Sequence, residues 1–388
     1  MSSCPSSNKV RGIYIHFPFC LKKCSYCDFY SVAVSAANMM EEYVQSLVNE
    51  IKLQSPKFKD SKIETVYLGG GTPSLLGARQ FSLIIDTIAN YFSLTEDVEI
   101  TIETNPATIN ESKLKSYINT GLNRISLGVQ SFADHDLKIL GRSHDANQVY
   151  ETIDLIQKLG LENCNLDLIY GIPNQTVEDW LKNLEIAISL APQHISMYLL
   201  QLSSETPLAT LVLNNEITLL EDEMELIMYN EGINYLKANL YDHYEISNFS
   251  KQNYQCQHNM IYWKAKEYLG LGPGAVSFIG NMRCINKPQI VDYINCLALK
   301  KYPPSEVLEE MNDRQIMEDS IILGLRLTEG IEIEEFNKKF NTDLLLEYKA
   351  PIEDGISKSL LKIEKGHLKL TTKGYFLSNQ VLCQFIGD

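Results

Sequence analysis

The sequence has no apolar run of about 18 residues, the length a membrane-crossing helix needs, and the Met1 to Arg11 stretch has no signal-peptide core. A cytoplasmic protein with no integral membrane segment is therefore expected. There is no excess of basic residues either: 34 Lys and Arg face 49 Asp and Glu, a net charge of −15, with no local basic patch. Nucleic acid is not an expected partner. No repeat or low-complexity tract is visible, and nine cysteines, an odd number in a chain without export signals, argue against a disulfide framework. They point instead to thiols or metal ligands in a reducing compartment.

What is present is a regular alternation. Short β-branched runs at Ile13 to His16, Thr65 to Leu68, Val98 to Thr104, Arg124 to Gln130, Asn165 to Ile169 and His194 to Leu200 alternate with amphipathic stretches, the pattern of βα units and a parallel sheet. In the first amphipathic stretch Met40, Tyr43, Val44, Leu47, Val48 and Ile51 share one helical face, which leaves Glu41, Glu42, Asn49 and Glu50 for the wet one. Further helices are expected over Ala78 to Tyr91, Glu111 to Thr120, Ala146 to Leu159 and Val177 to Leu190. Six units suggest an incomplete (β/α)6 barrel rather than a closed eightfold one, spanning residues 1 to 202. A linking region, 203 to 304, carries a helix candidate from Leu219 to Asn239 and the turn Gly270-Leu-Gly-Pro-Gly274. Residues 305 to 388 read as three helices and a hairpin at Glu364-Lys365-Gly366, a smaller α+β, winged-helix-like module. Its net charge of −6, ten Lys and Arg against sixteen Asp and Glu, is the wrong sign for gripping DNA.

Cys20, Cys24 and Cys27 stand in C-x3-C-x2-C spacing directly after the first strand. Electron-transfer clusters usually carry four cysteine ligands, whereas three thiolates on one loop leave one iron of a cubane open to an external ligand. A zinc site completed by His16 or Asp28 is the alternative, but Asp28 follows Cys27 directly and His16 belongs to the strand. Cys4, Cys164, Cys256, Cys284, Cys296 and Cys383 are isolated and read as packed residues. The spacing resembles the radical-SAM superfamily. In that superfamily S-adenosylmethionine chelates the open iron of a [4Fe-4S] cluster and is cleaved to a 5′-deoxyadenosyl radical.

Polar groups recur where the other strands end, the functional rim of a βα barrel. The second strand ends in Gly69-Gly70-Gly71-Thr72-Pro73, the third in Glu103-Thr-Asn105-Pro106, and the fourth in Gly128-Val-Gln130-Ser131 with Gly141-Arg142 beyond it. Asp167 lies in the fifth. The phrases YIHFPFCLKKCSYCDF, LGGGTPS, ETNP, RISLGVQSF, LGRSHD, DLIYGIP and HNMIYW resemble the coproporphyrinogen-dehydrogenase-like branch of radical-SAM proteins over about Arg11 to Phe278. That resemblance implies that Tyr14, Tyr26, Gly70, Gly71, Thr72, Glu103, Gln130, Arg142 and Asp167 bind S-adenosylmethionine.

Within the branch, Phe29 stands where the dehydrogenases have a further cysteine, and only nineteen residues precede Cys20. Both features favour the haem-chaperone side, as does His258-Asn259-Met-Ile-Tyr262-Trp263, which matches that group's HNxxYW motif. The resemblance implies haem near His258, a haem-accepting apo-protein, an electron donor, and dimerisation linked to the cluster. No C-x-x-C-H motif supports covalent c-type haem. The enzyme alternative is oxygen-independent oxidative decarboxylation of coproporphyrinogen III.

Overall fold

A computed structural model describes residues 5–7, 9–33 and 37–387. Six strands, β1 (Gly12–Phe17), β2 (Lys62–Gly70), β3 (Ser93–Thr104), β4 (Arg124–Gln130), β5 (Cys164–Tyr170) and β6 (His194–Leu199), pair in that order, all parallel. Among the helices between them are α1 (Ala37–Gln54), α2 (Ala78–Tyr91), α3 (Glu111–Asn119), α4 (Ala146–Lys158) and α5 (Val177–Ser189). The sequence sets their starts. Asn110, Asp145 and Thr176 each accept the backbone N–H three residues on, and Gln148 and Asp179 reach back to close capping boxes.

The barrel is incomplete, as expected. The free edge of β6 pairs with an antiparallel hairpin, β7 (Asp242–Glu245) and β8 (Asn248–Ser250), while β1 pairs in parallel with β9 (Tyr268–Leu271). β10 (Val276–Ile279), β11 (Met282–Asn286) and β12 (Ser305–Glu310) extend that side antiparallel, giving twelve strands in one sheet. The long helix of this region runs Asp222–Ala238.

One assignment on the first helix is corrected. Tyr43, Val44, Leu47 and Ile51 are buried as read, but Glu50 is buried too. Its carboxylate accepts from the Gly272 N–H at 2.8 Å, Asn286 Nδ2 at 2.8 Å and the Tyr293 hydroxyl at 2.6 Å. Helical periodicity registers only the face turned to the barrel, while α1 is also covered by the turn after β9. Beyond β12, helices and a three-stranded sheet, with Leu361–Glu364 and His367–Leu370 as its hairpin, form the C-terminal module. The hairpin turns at Lys365 and Gly366, both at positive φ, the primed geometry that matches strand twist. Among the described residues no helix is long and apolar enough to cross a membrane.

Candidate active site

The cysteine loop is held at its base by backbone. Phe19–Cys20 pairs with Val32–Ala33, and the N–H groups of Gly71 and Thr72 donate to the carbonyls of Phe17 and Phe19 at 2.7 and 2.8 Å. Ser25 ties the middle of the loop to Leu140 and Ile139. Space is the reason for glycine at position 71: a Cβ there would lie 2.6 Å from the Phe19 oxygen. All three thiols are half-buried. Arg142 donates to Cys24 Sγ at 3.4 Å and the Thr72 hydroxyl to Cys20 Sγ at 3.5 Å.

The thiols open onto a cavity of about 650 Å³ in the barrel mouth, and it is also lined by Tyr14, Tyr26, Gly70, Gly71, Thr72, Glu103, Gln130, Arg142, Asp167 and His258. The residues that the resemblance assigns to the cluster, S-adenosylmethionine and haem thus reach one space, whereas His16 and Trp263 do not line it. The Glu103 carboxylate accepts from the Gly70 N–H and the Tyr67 hydroxyl, each at 3.0 Å. Burial and the neighbouring Asp167 charge push its pKa up to about 7. Asp167, also raised by burial, accepts from Ser126 and Asn165 at 2.9 Å. Arg142 donates to the Gly128 carbonyl at 2.9 Å and to Asn105 Oδ1.

Sequence reasoning passed over Tyr67, Arg124, Ser126, Asn165 and Ser196, which line the same cavity. A signal existed. In the pairing register Glu103 lies beside Ser126, Gly128 beside Asp167, and Asp167 beside Ser196, so polar residues two apart in β-branched runs form one inward face. Several of these groups have unused capacity. Thr104 Oγ1, Arg124 Nε and Arg142 Nε are buried with no hydrogen-bond partner among the described residues, which suits a polar ligand.

His258 sits differently from an open ligand. It is 1% exposed, its Nδ1 is 2.7 Å from the Thr65 hydroxyl and its Nε2 2.8 Å from the Tyr262 hydroxyl, and its ring stacks on Tyr67. Burial, aided by the Arg124 charge, holds its pKa down at about 3. His258→Ala would strand two hydroxyls and leave a hole, so a loss of about 2–4 kcal/mol of stability is expected. Denaturant unfolding measures it, and an unchanged midpoint would refute this packing role.

Of the two zinc candidates, Asp28 is exposed and His16 is otherwise engaged. His16 contacts the Tyr14 hydroxyl and the Tyr30 carbonyl at 3.1 and 2.9 Å. Among the described residues no group of three His, Cys, Asp or Glu is arranged to hold a single metal ion; a cubane, by contrast, spreads its thiolates over three irons. Cys164, Cys256 and Cys284 are buried and Cys296 is half-buried, whereas Cys383 is exposed. Cys4 lies outside the described residues.

Residues 14–187 match the family model of the radical SAM superfamily and residues 311–377 that of the HemN C-terminal domain. A protein of Lactococcus lactis subsp. lactis named heme chaperone HemW is 33% identical over 380 residues, 98% of each chain. The chain belongs to the HemW family. The Escherichia coli HemW is 38% identical over 264 residues, covering 68% of this chain and 69% of that relative. In structure the chain is similar to Escherichia coli coproporphyrinogen III oxidase (HemN), with a TM-score of 0.83 over 97% of this chain and 90% of the other at 20% identity. That likeness shows a shared fold.

Proposed function

We propose that this chain is a haem chaperone of radical-SAM type. In this reading it binds a [4Fe-4S] cluster, S-adenosylmethionine and haem, and passes the haem to an acceptor protein. The single observation that supports it most is the end-to-end similarity to a protein named heme chaperone, in a chain whose three loop thiols face one cavity. Cys20, Cys24 and Cys27 would hold the cluster, with Arg142 and Thr72 donating to two of the sulfurs, a contact that tunes cluster potential. The cluster with S-adenosylmethionine would supply one-electron cleavage of the sulfonium. Gly70, Gly71 and Thr72 would present backbone to the ligand, Glu103 and Asp167 would accept its hydroxyl and amino hydrogens, and Tyr14, Tyr26, Gln130 and Arg142 would complete its walls.

Glu103 gives this assignment a pH signature. Because its folded pKa is raised, its contribution to fold stability is present below the unfolded value and lost as pH rises through about 7. Ligand binding has the opposite sign, since a ligand donating hydrogen bonds to Glu103 favours the ionised form. Affinity for S-adenosylmethionine is expected to climb between about pH 6 and about pH 8 and to flatten in Glu103→Gln. Calorimetric titration of the cluster-loaded protein reads this, and an equal slope in both proteins would remove Glu103 from the site.

The discriminating experiment for the function is anaerobic incubation with reductant, S-adenosylmethionine and coproporphyrinogen III. The chaperone reading expects the porphyrinogen to remain unchanged while haem binds saturably. Decarboxylated product would replace it with the dehydrogenase reading.

A further inference from the structure

Beside the deep cavity lies a second, more open cleft of about 400 Å³, and Tyr14, Asp28, Phe29 and Tyr262 belong to the walls of both. Tyr30, Tyr268 and the His16 imidazole supply further ring walls, and Gly274, Val276 and the Asp28 carboxylate complete the lining. Tyr30 stacks on His16 with ring centroids 6.0 Å apart, and Tyr262 meets Tyr268 edge-on at 4.6 Å. Phe29, at the seam, is 64% exposed, a position for a large apolar ring that packing within the chain does not explain. A flat, apolar ligand would cover it.

We propose that this cleft holds a tetrapyrrole by its ring face, against Phe29, Tyr30, Tyr262 and Tyr268, and that His258 packs the barrel wall rather than ligating the iron. The inference rests on the haem-chaperone reading and names where that cargo sits. Three observations carry it. Both ring nitrogens of His258 are engaged, by the Thr65 and Tyr262 hydroxyls, and the ring is buried and stacked on Tyr67. The deep cavity is walled by the cysteine loop and carries Glu103, Asp167, Arg124 and Arg142 among its apolar walls, whereas the cleft has no cysteine and offers the ring faces of Phe29, Tyr30, Tyr262 and Tyr268. Finally, the cleft is the more accessible space, which a protein that gives its ligand away requires.

The test is titration of the cluster-loaded full chain with haem and, separately, with metal-free protoporphyrin IX, followed by absorption and tryptophan quenching. Phe29→Ala is expected to weaken both ligands roughly tenfold, the worth of one aromatic stacking face, and Phe29→Trp to restore them. Leu240→Ala, which removes another exposed apolar residue, is expected to change neither. Phe29 is two residues from Cys27, so the comparison is repeated in a cluster-free Cys20→Ala background, where the same tenfold difference is expected. Wild-type affinity in Phe29→Ala would overturn the proposal. So would loss of haem binding in His258→Gln with protoporphyrin binding intact, because that pattern is iron ligation. If the wild type binds no haem saturably, the chaperone reading itself fails.

Discussion

Cys24→Ala is expected to leave the anaerobically reconstituted protein colourless, its iron falling from about four per chain to near zero. Two thiolates are one ligand too few to retain the cubane, and the exposed Asp28 carboxylate, directly after Cys27, does not replace the lost thiolate. The nearby imidazole, His16, is committed to the Tyr14 hydroxyl and the Tyr30 carbonyl. The substitution also strands the Arg142 N–H that donates to Cys24 Sγ. Cys20→Ala and Cys27→Ala should behave alike, whereas Cys296→Ala, on the helix Ile290–Ala298, should keep full iron and colour. Iron analysis with absorption near the sulfur-to-iron charge-transfer bands measures this. Retained brown colour in Cys24→Ala would mean that the loop is not the cluster site.

Gly71→Ala is expected to carry the second-largest effect, a loss of about 2–3 kcal/mol of stability together with reduced iron loading. The added methyl would meet the Phe19 oxygen at 2.6 Å and the Phe17 oxygen at 2.9 Å. These are main-chain atoms, so no rotamer change relieves the contact. The strand end that must move is the one that leads into Cys20, and it is tied there by the Gly71 and Thr72 N–H bonds. Stability and cluster occupancy should therefore fall together. A variant with an unchanged unfolding midpoint and full iron would show that the close approach at position 71 does not govern the loop.

The barrel was legible because its physics is local and periodic. β1 to β6 are β-branched runs, and the helices between them carry amphipathic stripes with polar caps at Asn110, Asp145 and Thr176. The cysteine spacing and the polar strand ends lie in short contiguous segments, so their meeting in one cavity follows once the strands are parallel. Other features depend on partners distant in sequence. Glu50 is polar and sits among polar neighbours, yet Gly272, Asn286 and Tyr293 enclose it from more than 200 residues away. Arg124 and Asn165 look like ordinary strand polar residues until the register turns them inward. β7 to β12 are short and mostly antiparallel, and a stretch that shows one helix and a glycine turn in sequence gives no hint that they prolong both edges of the barrel sheet. The His258 motif was visible as a motif, but its hydrogen bonds to Thr65 and Tyr262 depend on the packing of its helix against β2.

The measurement closest to the central claim is anaerobic titration of haem into the reconstituted wild-type protein beside cluster-free Cys20→Ala. The account predicts saturable binding of about one haem per chain in both proteins, because the cleft proposed for the cargo adjoins the cavity of the cysteine loop without including its three thiols. Absence of saturable haem binding in the reconstituted wild type would contradict it.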